Sequence, residues 1–84
     1  MYTYEFKPQA LRDIKKLPRD IQSRIIKKLD FYTGQLSPLQ LADRLINSDI
    51  GSYRFRIGDY RVVFDVEDNR IIILSLGHRK DIYR

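Results

Sequence analysis

The sequence predicts an α+β fold: an N-terminal strand, an antiparallel helical hairpin, then a three-stranded antiparallel meander with the helices packed on one sheet face. Three observations carry this. Apolar residues recur at helical spacing between Pro8 and Tyr32. Large apolar and polar side chains alternate strictly from Tyr53 to Ile57. Gly58-Asp59 and Asp68-Asn69 punctuate the last third as hairpin turns. With 84 residues the chain forms one domain, 1–84, with a single small core.

Tyr2-Thr3-Tyr4-Glu5-Phe6 alternates and reads as a short strand. Lys7-Pro8 ends it, because proline has no N–H for the ladder. Proline suits a first helical turn, and Ala10, Leu11, Ile14 and Leu17 then fall on one helical face. Pro18 breaks that helix and starts a second, with Ile21, Ile25, Leu29 and Tyr32 on one stripe and Arg24, Lys27 and Lys28 outside it. Gly34 is a natural C-terminal cap. The stretch Gln35 to Ser52 is broken by Pro38 and has no clean period, so a loop with one helical turn is expected. Tyr53–Ile57, Tyr60–Val66 and Arg70–Gly77 form the meander. The last of these strands is apolar on both faces and therefore interior. Neither helical nor sheet element can hide alone, so the hairpin must cover one face of the sheet.

Composition narrows the chemistry. There is no cysteine and only one histidine, so neither a disulfide framework nor a zinc site is expected, and no cofactor is called for. No apolar run approaches membrane-spanning length, and the N-terminal residues lack the apolar core of a signal peptide. A cytoplasmic protein with no membrane or small-molecule partner is expected. The formal net charge of +5 suits a polyanion, with nucleic acid foremost.

Strand alternation places that charge. With Gly58-Asp59 as the turn, Arg56 faces Arg61 and Arg54 faces Val63. One face then carries Tyr53, Phe55, Ile57, Tyr60, Val62 and Phe64, a core face. The other carries Arg54, Arg56, Arg61, Val63 and Asp65. Like charges directly opposed cost about 0.2–1 kcal/mol, which favours a functional reading of the arginines over a merely solvated one. A guanidinium offers planar, bidentate donors suited to phosphate. With Asp68-Asn69 as the second turn, Leu76 should lie opposite Arg61. Gly77-His78-Arg79 then emerges at the same end of the sheet, where Arg79 and Tyr83 can reach the arginine face.

The run Tyr53-Arg54-Phe55-Arg56-Ile57-Gly58-Asp59-Tyr60-Arg61-Val62-Val63-Phe64 resembles the central strands of the RelE branch of the RelE/ParE toxin superfamily. The ending Gly77-His78-Arg79-Lys80-Asp81-Ile82-Tyr83 resembles that family's closing motif. The likeness covers nearly the whole chain. It implies a toxin of a type II toxin–antitoxin system, a metal-independent endoribonuclease that cuts mRNA in the ribosomal A site. There the 2′-hydroxyl attacks the adjacent phosphate and leaves a cyclic phosphate. Its partners would be the ribosome with mRNA and an acidic RelB-like antitoxin. That antitoxin would cover Ile72 and Leu74 on the arginine side and the basic stripe of the second helix. By the same resemblance Arg61, Arg79 and Tyr83 are the catalytic candidates, and Arg54, Arg56, His78 and Lys80 the RNA-binding ones. A well-known enterobacterial member has lysines where this chain has Arg54 and Arg56. Arginine does not shed its proton in proteins, so these two positions hold RNA rather than act as bases. The alternatives are a ParE-like DNA gyrase inhibitor and a non-catalytic RNA-binding module.

Overall fold

The computed structural model describes residues 1–82. In chain order it contains β1 (Thr3–Phe6), α1 (Pro8–Lys15), α2 (Arg19–Thr33), a 3₁₀ turn (Pro38–Leu41), β2 (Asp43–Arg44), β3 (Tyr53–Ile57), β4 (Tyr60–Glu67) and β5 (Arg70–His78). The five strands form one sheet in the order β1-β5-β4-β3-β2. The α+β expectation holds, with the meander extended at both edges. β1 pairs parallel to β5, with Thr3 beside Arg70 and Phe6 beside Ile73. β2 pairs antiparallel to β3 through Asp43–Arg54 and Arg44–Tyr53. Among the described residues no helix is long and apolar enough to cross a membrane.

Local chemistry explains the helix limits. Pro8 opens α1 in its first turn, where its missing N–H is no loss. The helix stops at Lys15, short of the expected Leu17, because Pro18 pushes the residue before it out of the helical region. The freed N–H groups of Lys16 and Leu17 bond the carbonyls of Asp13 and Ile14 instead. α2 ends at Gly34, whose N–H bonds the carbonyl of Asp30.

Both helices press on one sheet face. Ala10, Ile14, Ile25, Leu29 and Tyr32 meet Phe55, Ile57, Val62, Phe64, Ile71, Ile73 and Leu76 in one buried cluster. Phe55 stacks between Tyr32 (centroids 4.2 Å apart) and Phe64 (4.5 Å), so aromatic contact ties α2 to β3 and β4. β1 is pinned to α2 by the Tyr4 hydroxyl, which donates to Asp30 Oδ1 at 2.8 Å. Past the end of β1, α1 serves the edge of β5: Asp13 Oδ2 accepts from the Leu76 N–H at 3.1 Å.

The register of β3 with β4 is the expected one, Arg56 opposite Arg61 and Arg54 opposite Val63. That of β4 with β5 is not. Phe64 pairs with Ile73 but Val63 pairs with Ser75, leaving Leu74 as an extra residue, so Arg61 faces Gly77 and not Leu76. The reason is burial. Ile71 and Ile73 face the helices, and a regular strand would turn Leu76 away from them. The bulge at Leu74 flips the alternation, so Leu76 enters the core, only 4% exposed.

The second face is also partly dry. Val63 is fully buried there and Ile72 nearly so. The segment between β2 and β3 folds over this face, which explains its lack of period: it is a cover, not a linker. Its Ser52 N–H donates to Asp65 Oδ1 at 2.8 Å, and Leu45 N–H bonds the Ser52 carbonyl. Gly51 lies so close that a Cβ there would sit 2.5 Å from Val63 Cγ1 and 3.1 Å from Leu74 Cδ1. Ile72 and Leu74 are therefore not the open apolar patch the sequence suggested. The chain's own loop shields Leu74, and Ile72 is already buried.

Two stability predictions follow from these contacts. Gly51→Ala forces its methyl into Val63 and should destabilise by ~1–3 kcal/mol in urea unfolding. Gly77→Ala, whose methyl would meet nothing within 4 Å, should stay within about 0.5 kcal/mol of wild type. Burial, reinforced by the Asp30 carboxylate, pushes the Tyr4 hydroxyl from 10.0 up to about 12. Unfolded tyrosine ionises first, so Tyr4's contribution is complete below pH 10 and is lost as pH climbs toward 12. Alkaline unfolding profiles of Tyr4→Phe should be flatter over that window. Some slope should remain, because burial also raises Tyr32.

Candidate functional site

The face of the sheet away from the helices carries Arg54 and Arg56 on β3 and Arg61 on β4, as alternation requires. Arg56 and Arg61 are directly opposed, and the structure relieves the repulsion by turning them apart. Arg56 Nε bonds Asp43 Oδ2 at 3.0 Å. The same oxygen takes Arg54 through Nη2 at 2.9 Å and Nε at 3.2 Å. Arg61 turns the other way and donates through Nη1 to the carbonyls of Gly58 (2.8 Å) and Tyr60 (2.9 Å). Asp43 was missed in the sequence. It belongs to a two-residue strand, and a lone Asp-Arg step in an aperiodic stretch gives no strand signal.

Gly58 and Asp59 make the tight turn between β3 and β4. Gly58 has φ +60°, a positive value needed at the first central residue of a type II′ turn. Past β5 the chain stays paired with this turn: Arg79 N–H bonds the Asp59 carbonyl at 2.7 Å, and Arg79 Nε lies 3.8 Å from Asp59 Oδ1. Arg61 and Arg79 are thus brought to one two-residue turn, as expected. Between them Gly77 faces Arg61 with no side chain, and the space over its Cα is open to 4 Å. Across the ladder from Arg61 the surface is therefore bare backbone, open to a ligand.

The remaining candidates separate. His78 pairs with Tyr60 and sets its ring edge-on to the tyrosine at 5.5 Å. Tyr60 packs on the helix-side core, so the imidazole lies on the face opposite the arginines. The bulge at Leu74 is the cause: the register expected from the turns alone would have put His78 among them. Its Nδ1 accepts the Lys80 N–H at 3.1 Å. Lys80 is exposed on the closing turn, in which Asp81 and Ile82 donate to the His78 carbonyl. Tyr83 lies outside the described residues. Among the described residues no group of three His, Asp or Glu side chains could hold a metal ion. The site offers fixed positive charge and backbone, not a titrating dyad.

Residues 4–83 match the family model for the ParE toxin of type II toxin–antitoxin systems. The chain belongs to this toxin family. Toxin RelG of Mycobacterium tuberculosis is 36% identical, covering 99% of this chain and 97% of its own. Among solved structures, the toxin–antitoxin complex RelBE2 of M. tuberculosis superposes with a TM-score of 0.79 at 30% identity, over 93% of this chain and 98% of the other. The archaeal RelE–RelB complex of Pyrococcus horikoshii gives 0.73 at 27%, over 95% and 97%. The protein is a RelE-like toxin of a type II toxin–antitoxin system.

In this toxin Asp43 shields two of the four arginines. Asp43→Asn removes that shield, so the protein should elute from heparin at clearly higher salt. Asp68→Asn, the same change in net charge at the β4–β5 turn, should shift elution less. The Arg54–Asp43 pair is part-buried, so the variant should also lose stability, by ~1–3 kcal/mol in urea unfolding.

Proposed function

We propose that this toxin is a ribosome-dependent endoribonuclease that cleaves mRNA, with the scissile phosphate held at the β3–β4 turn by Arg61 and Arg79. The observation that carries the reading is the convergence of these two guanidinium groups on Gly58-Asp59, beside the open backbone of Gly77. The relatives named RelG and RelE support it.

The reaction asks little of the protein. The 2′-hydroxyl oxygen bonds to phosphorus as the 5′-oxygen of the next nucleotide leaves, giving a 2′,3′-cyclic phosphate. The 2′-hydroxyl loses a proton and the leaving oxygen gains one. Between these states the phosphorane carries extra negative charge. Arg61 is already fixed by two carbonyls and presents its charge with little reorganisation. Arg79 is held to the turn through its backbone N–H, and its guanidinium has only to leave a 3.8 Å contact with Asp59. The ribosome supplies the in-line alignment of the mRNA. Arg56, directly opposite Arg61, and Arg54, two residues further along the same face, hold the RNA backbone by exchanging the Asp43 carboxylate for phosphate. Tyr83 stacks on a base or orients the 2′-hydroxyl. Lys80 adds charge at the rim. His78 lies across the sheet from this face and takes no part in the first contacts. The inhibitory partner is a RelB-like antitoxin, in keeping with the toxin–antitoxin complexes among the structural neighbours.

Loss of one such donor typically costs ~10²–10³ in rate. Arg61→Ala and Arg79→Ala should each slow cleavage of programmed ribosomes by about that factor, with melting temperatures showing that both variants fold. Wild-type cleavage by the double variant would rule the assignment out. DNA supercoiling by gyrase, assayed alongside, should be unaffected. Inhibition of supercoiling without mRNA cleavage would identify the ParE-like activity instead.

A further inference from the structure

Arg24 on α2 reaches the same turn from the other side. A Cβ built on Gly58 would sit 2.8 Å from Arg24 Nη2, 3.2 Å from Cζ and 3.4 Å from Nη1. The guanidinium is laid against the bare glycine, and any side chain at position 58 would displace it. The Gly58 carbonyl meanwhile accepts from Arg61. Two guanidinium groups from different layers of the fold therefore touch one residue.

From Arg24 the charge continues along the helix. Lys27, Lys28 and Phe31 follow at i+3, i+4 and i+7, which is one stripe, and all four are exposed. With Asp20 and Ser23 they line a single open groove. Among the described residues Arg24, Lys27 and Lys28 make no ion pair or hydrogen bond. No carboxylate of the described residues lies within ion-pair distance of them, unlike Arg56 and Arg70, although Asp20 shares the groove. Phe31, 54% exposed, closes the row with Lys28 Nζ 5.8 Å from its ring centroid. Cations in a row ending in a half-exposed aromatic ring suit single-stranded nucleic acid: a charged path for the backbone and a ring on which a base can stack. At ~1.5 Å rise per residue the stripe runs about 10 Å, room for a short run of nucleotides.

We propose that Arg24, Lys27, Lys28 and Phe31 form a track that carries single-stranded RNA from the Arg61–Arg79 turn along the outer face of α2. The proposal rests on the nuclease reading above and extends it, making Arg24 the third arginine of the phosphate site. An acidic protein segment would also match the lysines. Continuity with the Gly58 turn and the half-exposed aromatic ring favour RNA.

The test uses the full chain, a short labelled single-stranded RNA titrated from about 50 to 200 mM salt, and cleavage of programmed ribosomes. Arg24→Ala should lower the slope of log K against log salt by about 0.7, and Arg24→Lys should restore it. Lys27→Ala with Lys28→Ala should lower it by roughly twice that. Phe31→Ala should weaken binding roughly tenfold with the slope unchanged, as loss of stacking requires. Thermal melts confirm folding, and a purely structural role for Arg24 would move the melt but not the slope. If wild type cleaves and the slopes of the charge variants are unaltered, the track is overturned while the nuclease reading stands. The track is likewise overturned if these variants lose affinity for poly-glutamate but not for RNA, which would assign the stripe to an acidic protein. If wild type fails to cleave, the nuclease reading itself is overturned.

Discussion

Leu74 has no partner across the ladder, and the end of β5 that forms the site depends on that one unpaired residue. Ile71 and Ile73 fill the helix-side core from one parity of the strand, Leu76 from the other. Without the extra residue Leu76 would point to the arginine face and Ser75 and Gly77 into the core. With it, Gly77 comes opposite Arg61 and leaves bare backbone there. His78 goes to the helix side, and Arg79 returns to the Asp59 turn. One bulge therefore sorts the closing motif into a core residue, an open floor and a second cation.

Charge on this face is held loosely by design of the packing. Arg56 and Arg79 keep more than half of their side-chain surface in water, and their carboxylate partners are partly or mostly exposed. Pairs of this kind are worth at most about 1 kcal/mol, so a phosphate can take the place of the acid without heavy penalty. Arg61 differs. Its carbonyl partners are neutral, so it is positioned without losing its charge to a counterion. The face thus combines one fixed cation with others whose present partners are exchangeable.

Much of this was legible from the residues in order. The helical stripes, Pro8 and Pro18 at the helix starts and the Gly58-Asp59 turn are local signals, and the β3–β4 register follows from the turn alone. The arginine face followed from that register. The bulge was not legible because Ile71 to Leu74 is apolar throughout, so nothing in the alternation marks where parity changes. That error misplaced Leu76 and His78 together. β2 and the cover over Val63 were hidden for a different reason. A two-residue strand has no period, and Gly51 shows its purpose only when Val63 and Leu74 are seen beside it. Arg24 reads as ordinary solvated helix surface until the fold sets it on Gly58.

The parallel pairing of the first strand with the last has a consequence for synthesis. Thr3 to Phe6 finds its neighbour only in Arg70 to Ile73, and the helices close on Ile71, Ile73 and Leu76. Until β5 has been made, β1 has no strand neighbour, the helices lack the Ile71, Ile73 and Leu76 part of their core, and Arg79 has not yet been joined to the Asp59 turn. The order of the strands therefore delays assembly of the Arg61–Arg79 turn until the last strand is in place.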